Sequence, residues 1–386
     1  MIPYGKQDIE QHDIDAVVEV LKSDFLTQGP YVPKLEKLIA SNVNAAEAVA
    51  TNSATSALHV ACLSLGLSKG DYIWTSPISF VASANCGLYC GACVDFIDID
   101  SETYNICPHA LAKKLESAKL DNRLPKILVA VHLTGQSCNM EQIRRLCNIY
   151  GVRIIEDASH AIGGRYQDYP IGCCRYCDIT VFSFHPVKII TTGEGGMATT
   201  NNLELANRMR LLRSHGITRR NEDLTNERDG PWYYEQQELG YNYRMTDIHA
   251  ALGISQLKRL QEFVSRRNEL ALRYDKLLSD LPVLTPWQHP DCYSARHLYI
   301  VRIPNDSSKI SRDEVFLEMI NQGISVNVHY IPIHTQPFYK KMGFQENDFP
   351  NSIKYYQEAI TLPLFPSLTE KEQNYIVSSL KRALNQ

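Results

Sequence analysis

The chain has 386 residues, 44% hydrophobic and 21% charged, and its 43 acids against 39 bases leave a net charge of −4. That length predicts two or three domains, and that composition belongs to a folded globular protein. No basic block offers a phosphate-backbone footprint and no apolar run reaches about 18 residues, so neither a nucleic-acid partner nor a membrane span is expected.

In chain order, "MIPYGKQDIEQHDIDAVVEVLKSDFL" lacks the basic and apolar pattern of an export signal and reads as an amphipathic helix, which predicts a cytoplasmic location. From Glu47 to Thr200 short apolar runs alternate with helical stretches. The runs are "EAVAT", "DYIWT", "CVDFIDI", "KILVAVHL", "RIIED", "DITVFSF" and "GMATT". The helical candidates include Thr55 to Leu65, Ser79 to Tyr89, Pro108 to Ala118 and Asn139 to Tyr150. This alternation predicts an α/β domain with a mainly parallel sheet buried on both faces. Ligands in such sheets gather at the carboxyl ends of the strands.

"NERDGPWYYEQQELGYN" reads as a long loop, and Met245 to Ser279 as one long helical stretch. Beyond it, "RHLYIVRIP", a helix from Ser311 to Gln322, "ISVNVHYIP" and helices near Ser352 and Thr369 predict a smaller α+β domain. The expected division is residues 1–250 for the large domain with its N-terminal helical segment, and 251–386 for the connecting helix and the small domain.

Eleven cysteines without an export signal point to reduced thiols. Two CxxC pairs occur, Cys90/Cys93 and Cys174/Cys177. A shared zinc site would have to bring together pairs roughly 80 residues apart, wider than a zinc ribbon allows. Both pairs sit where a helix or loop feeds an apolar strand, so small buried side chains are the preferred reading.

Candidate chemistry collects around Lys188, set in the apolar stretch "FSFHPVKIITTGEGG". A lysine there either snorkels to water or has its amine used. Asp157 ends "RIIED", where an inward-facing acid needs a cationic partner. Ser53, Thr55 and Ser56 open a helix directly after another strand, offering hydroxyls and free N–H donors to an anion. Ser183 adds a hydroxyl on the strand leading to Lys188, and Phe80 in "SPISFVASAN" is placed to cover a ring face. A phosphate cradle, a carboxylate and a lysine on neighbouring strand ends are what pyridoxal 5′-phosphate (PLP) requires. The lysine takes its aldehyde, the acid keeps its pyridine nitrogen protonated, and the cradle fixes its phosphate. Each residue alone has a plain alternative: helix caps, a strand-end salt bridge, a core phenylalanine, a solvated lysine. Their joint order along the chain favours the PLP reading.

The chain resembles the DegT/DnrJ/EryC1/StrS sugar-nucleotide aminotransferases, which have the fold-type I, aspartate aminotransferase-like architecture. Motifs matching in order and spacing include "TNSATSALHVACLSLGL", "SPISFVASAN", "VHLTGQS", "EDASHAIGG", "FSFHPVKIITTGEGG" and "LGYNYRMTDIHAALGISQL". The resemblance implies Lys188 as the Schiff-base lysine, Asp157 as partner of the pyridine nitrogen and Phe80 stacked on the ring. It further implies Thr55, Ser56 and Ser183 at the phosphate, and His160 beside the ring. Asn242 would reach the phosphate of a neighbouring subunit, which implies a homodimer with shared active sites. One departure stands out: many members carry Gly-Thr after the first serine of the cradle, and here the pair is Ala54-Thr55. "NSATSAL", "SPISFVASAN" and "VHYIP" look most like the branch that makes pseudaminic acid. That branch implies amination of C4 of UDP-2-acetamido-2,6-dideoxy-β-L-arabino-hex-4-ulose with L-glutamate as donor.

Other readings fare less well. "GEGGMA" fits GxGxxA but opens an apolar run in place of a helix, and no acid follows about 20 residues on, against a nicotinamide site. Dehydrating members of the resembled family have histidine where Lys188 stands. A non-catalytic sugar-nucleotide-binding relative could have lost Lys188 or Asp157, and this chain has both. Tyr330 and His329 are candidates for the uracil, the diphosphate or the donor carboxylate, with a plain strand end in the small domain as the preferred reading.

Overall fold

The computed structural model describes residues 1–304 and 310–385. Its centre is a seven-stranded sheet made by β1 (Glu47–Thr51), β2 (Tyr72–Thr75), β3 (Cys93–Phe96), β4 (Ile127–Val131), β5 (Arg153–Asp157), β6 (Ile179–Ser183) and β7 (Gly196–Thr200). The spatial order is β1-β7-β6-β5-β4-β2-β3. The strands from β6 to β3 are parallel, and β7 runs antiparallel to β6 and β1 on either side. The α/β class with a mainly parallel sheet is as expected from the sequence.

Alternation along β4 shows why these runs form central strands. Ile127, Val129 and Val131 pack into one core, and Leu128 and Ala130 into the core on the opposite face. All five are buried, as strands covered on both faces must be. In β6, Ile179 and Val181 face the first core while Phe182 faces a third built on Leu35, Ile39, Met197 and Val264. Burying a side chain such as Phe182 contributes about 2–3 kcal/mol each.

Helices α1 (Gln11–Leu21) and α2 (Tyr31–Val43) precede the sheet, and α3 (Ala54–Ser64), α4 (Ala82–Tyr89), α5 (Pro108–Leu120) and α6 (Met140–Tyr150) connect its strands. Helix α3 is buried nearly all round, from Ser56 through Cys62. After β7 come α7 (Leu203–Leu212), α8 (Asp247–Leu257) and α9 (Leu260–Leu277). The C-terminal part forms a separate core around Leu270, Tyr274, Val301, Met319, Ile360 and Leu380. There β8 (Tyr299–Arg302) pairs antiparallel with β9 (Ala359–Leu362), accompanied by α10 (Arg312–Asn321), α11 (Pro350–Glu358) and α12 (Glu370–Leu384). A buried ion pair, Arg302 with Glu358, joins the end of β8 to the start of β9.

Four expectations are corrected. The N-terminal helix is confined to Gln11–Leu21. The helix expected from Ser79 starts at Ala82, because Ser76 to Phe80 form a turn in which the Ile78 N–H donates to Ser76 Oγ at 3.1 Å. The stretch from Met245 to Ser279 is two helices broken at Lys258-Arg259, where Lys258 N–H and Arg259 N–H close onto the Ser255 and Gln256 carbonyls. "ISVNVHYIP" forms no strand, only isolated bridges of Ile324 with Ile2 and of Asn327 with Thr361, and it runs on to the edge of the cavity described below. Within the expected long loop, Glu235–Gln236 pairs with Ile217–Thr218.

Candidate active site

One cavity of about 650 Å³ opens at the carboxyl ends of β1, β2, β5 and β6. Among its lining residues are Thr55, Phe80, Asp157, His160, Ser183 and Lys188.

Lys188 stands on the loop between β6 and β7, and that loop is fixed by its own backbone. Phe184 N–H donates to the Gly195 carbonyl at 2.9 Å, and Thr192 N–H and Thr191 Oγ1 both donate to the Phe184 carbonyl at 3.0 Å. Ile189 and Ile190 anchor it in the core. Gly193, with φ of +81°, makes the return turn in a conformation L side chains rarely take. Lys188 keeps part of its surface open to the cavity, yet burial pulls its pKa down to about 8, against the opposing pull of the Asp157 charge.

Asp157 ends β5 and is buried. Ser83 Oγ donates to its Oδ2 at 2.6 Å, and Ser159 donates to Oδ1 through Oγ at 2.5 Å and N–H at 3.2 Å. Ser83 is itself 2.7 Å from Ser79 Oγ. The carboxylate is thus fixed in direction while facing the cavity with acceptor capacity to spare.

At the far wall, Ser53 caps α3, accepting the Ser56 N–H at 3.1 Å. Ala54 and Thr55, whose N–H groups the helix cannot satisfy, line the cavity. The start of β7 lies directly against this end: a Cβ on Gly196 would sit 2.4 Å from the Ser53 carbonyl and 2.5 Å from the Ala54 nitrogen. Only glycine permits that approach.

His160 Nε2 is 3.1 Å from the Tyr330 hydroxyl, its ring lies 4.5 Å from that of His297, and its Nδ1 has no partner among the described residues. Burial and the neighbouring Lys188 charge hold His160 well below the usual imidazole range, and bring His329 down to about 3. Lys188 is therefore faced by neutral imidazoles near pH 7 and has Asp157 as its counter-charge. Phe80 is 60% exposed at the mouth, 6.5 Å from the Tyr330 ring.

Two expected residues lie outside the cavity lining. Ser56 Oγ is engaged with Asn52 Oδ1 at 2.6 Å and Ser53 Oγ at 3.0 Å. Asn242 is exposed, pairs with Ser214, and accepts a bond from Asn52 Nδ2 at 3.4 Å through its carbonyl. Conversely, Tyr330 and His329, candidates from sequence for which a plain strand end was preferred, are cavity residues. Ser83 and Ser159 were missed. Their signal was present as Ser79 and Ser83 one helical turn apart and as a serine two residues after Asp157, but serines in such places are usually caps. Tyr4, His297 and Asn327 arrive from distant segments and carry no local signal.

The residues fit PLP: an anion-binding helix N-terminus, a lysine of lowered pKa and a fixed carboxylate share one chamber of a size that suits a cofactor with its substrate. Fold and site define a PLP-dependent aminotransferase, and among the solved structures of this shape is one in its PLP form.

Comparison with known proteins gives the particular group. The profile of the DegT/DnrJ/EryC1/StrS aminotransferase family matches residues 7–381, and the chain belongs to that family. It is 38% identical over 383 residues to the spore coat polysaccharide biosynthesis protein SpsC of Bacillus subtilis, covering 98% of this chain and 96% of that one. It is 36% identical over 388 residues to a UDP-4-amino-4,6-dideoxy-N-acetyl-beta-L-altrosamine transaminase of Campylobacter jejuni, covering 98% of this chain and 96% of the other. Helicobacter pylori PseC, an aminotransferase involved in the biosynthesis of pseudoaminic acid, superposes with a TM-score of 0.90 at 31% identity, over 100% of this chain and 99% of that one. The protein is a sugar-nucleotide aminotransferase. Among the described residues no helix is long and apolar enough to cross a membrane, and no group of three or more His, Cys, Asp or Glu is arranged to hold a metal ion.

Proposed function

We infer that the protein transfers an amino group from L-glutamate to C4 of a UDP-4-keto-6-deoxy-N-acetylhexosamine. The preferred acceptor is UDP-2-acetamido-2,6-dideoxy-β-L-arabino-hex-4-ulose, on the route to pseudaminic acid. The observation that carries the chemistry is Lys188 enclosed with Asp157 in one cavity. When bound, PLP supplies an aldehyde that carries the amino group and a ring that takes up the electron pair left on the reacting carbon.

The chain's own residues do the rest. Lys188 Nζ would hold the aldehyde and, as a neutral amine, would move the proton to and from the reacting carbon. Asp157 keeps the pyridine nitrogen protonated, with Ser83 and Ser159 fixing its direction. The N-terminus of α3, Thr55 and Ser183 would hold the phosphate, and Phe80 would lie against the ring. His160, kept neutral, leaves Lys188 free of a competing positive charge.

The choice of sugar is supported by the names of the Campylobacter and Helicobacter relatives. SpsC, at similar identity, supports a second reading, a different nucleotide-linked 4-keto sugar. The configuration at C5 decides which face of the 4-ketone meets the ring, so one rigid site prefers one epimer. With both UDP-4-keto epimers supplied separately with glutamate, kcat/KM is expected to favour L-arabino over D-xylo by about 10-fold or more. The reverse order moves the protein to the second reading and leaves its PLP chemistry untouched.

A homodimer with shared sites belongs to the same proposal. Asn242 is exposed and outside its own cavity, as a residue reaching a second subunit's phosphate must be. Mixing Lys188→Ala and Asn242→Ala proteins, each impaired alone, is expected to restore some activity once subunits exchange. A monomer with full activity at working concentration would remove the shared site. A cytoplasmic setting is supported by the eleven cysteines, all free.

A further inference from the structure

Two hydroxyls in line connect the cavity wall to the carboxylate of Asp157. Ser79 lines the cavity and is buried, Ser83 is fully buried near the start of α4, and their Oγ atoms lie 2.7 Å apart. Ser83 Oγ in turn donates to Asp157 Oδ2 at 2.6 Å. A hydroxyl has one proton and an ionised carboxylate only accepts, so the Ser83 proton is committed to Asp157. The bond between the serines can then be made only by the Ser79 proton. Serines near a helix start are commonly spent on neighbouring backbone groups. Because α4 begins only at Ala82, Ser79 stands ahead of it, and among the described residues neither hydroxyl has a backbone partner. The two oxygens of Asp157 are also loaded unequally. Oδ1 accepts from Ser159 through both Oγ at 2.5 Å and N–H at 3.2 Å, whereas Oδ2 accepts from Ser83 alone. With roughly two acceptor sites on each oxygen, Oδ2 is the one with room for another donor.

We propose that Ser79 is a positioning residue for the reaction, acting through Ser83 to aim Asp157 Oδ2 at the pyridine nitrogen of PLP. This rests on the role given to Asp157 above. A hydroxyl that itself receives a hydrogen bond is a better donor, and a bond into an ionised oxygen is short and strong. Ser79 therefore does two things to Ser83: it fixes the rotamer that points at Asp157, and it strengthens the bond made there. Without the Ser79 hydroxyl, Ser83 would keep its proton on Asp157 but leave its own buried lone pair without a donor, which favours turning away. The effect would fall on Oδ2, the oxygen left to meet the ring.

A double-mutant cycle on the full-length holoenzyme, with PLP titrated into the cofactor-free protein as a second readout, tests the serine pair. Ser79→Ala is expected to lower kcat and to weaken PLP binding, each by about 2- to 10-fold, the range of one neutral hydrogen bond. Ser79→Thr, which keeps the hydroxyl, should restore most of both. In a Ser83→Ala background, adding Ser79→Ala is expected to change neither quantity further, because a residue that acts through another has nothing left to act on. A side chain that merely packs, or that touches the substrate directly, would cost the same in both backgrounds. Equal losses in the two backgrounds, a Ser79→Thr protein as impaired as Ser79→Ala, or a Ser79→Ala protein indistinguishable from wild type each overturn the proposal while leaving the role of Asp157 intact. Near-wild-type turnover in Asp157→Asn would instead remove that role, and the inference with it.

Discussion

Lys188→Ala is expected to lower turnover by at least about 10³-fold while the protein stays folded, because in the proposed chemistry one amine both holds the cofactor and moves the proton. The loop keeps its shape without that side chain, since its ties run through Phe184, Thr191, Thr192 and Gly195. Lys188→Arg should do no better: its guanidinium stays protonated at every working pH, whereas the wild-type amine loses its proton near pH 8. Borohydride reduction of the wild-type holoenzyme should fix the cofactor on the peptide containing Lys188, and a label on any other lysine refutes the assignment. Stability gives an independent readout in cofactor-free protein. An unfolded lysine titrates near pH 10.4, so between about 8 and 10 the unfolded chain keeps a proton that the folded chain has released. Stability attributable to this group therefore rises with pH across that window. Against Lys188→Met, wild type should be the less stable below pH 8 and recover above it, by at most about 1.4 kcal/mol per pH unit. Urea melts at pH 7.5 and 9.5 that show a constant difference would contradict the enclosed ammonium.

Asp157→Asn, nearly isosteric, should lower kcat by about 10²–10³-fold while cofactor is retained. In the proposed chemistry the buried carboxylate supplies the charge that keeps the ring an electron acceptor, and an amide in the same place cannot. Ser83→Ala removes one of three donors to that carboxylate and should cost about 10- to 100-fold, a charge-assisted bond being worth roughly 1.5–3 kcal/mol. Absorbance spectra of the holo variants, compared with steady-state rates, separate lost turnover from lost cofactor. Near-wild-type kcat in Asp157→Asn would end the role assigned to it.

The parts legible in sequence were those whose physics is local. Apolar runs gave the strands of the sheet because a strand buried on both faces has no polar alternation to blur it, as β4 illustrates. Lys188, Asp157, Thr55 and Ser183 could be read from strand ends and a helix start. What escaped was set by tertiary context. Ser79 opens no helix, since the turn from Ser76 to Phe80 delays α4 to Ala82. "ISVNVHYIP" has strand composition, but it is held by single bridges, and the residue after it, Ile333, donates its N–H to the Pro77 carbonyl at 2.9 Å. Tyr330 therefore meets His160 across 170 residues of chain, a separation no local pattern encodes.

That separation bears on when the site can exist. Its walls include Tyr4 near the start and Asn327 to Gln336 near the end, and Tyr4 is seated by its carbonyl accepting the Leu364 N–H at 3.0 Å. During synthesis the sheet and its lysine emerge long before the segment that closes the chamber. A chain folded only as far as β7 thus displays the anion-binding end of α3 and an open cleft, and encloses Lys188 only once the segment from Asn327 to Gln336 has joined it. Full enclosure of Lys188 is consequently coupled to the docking of two segments that lie far apart in sequence.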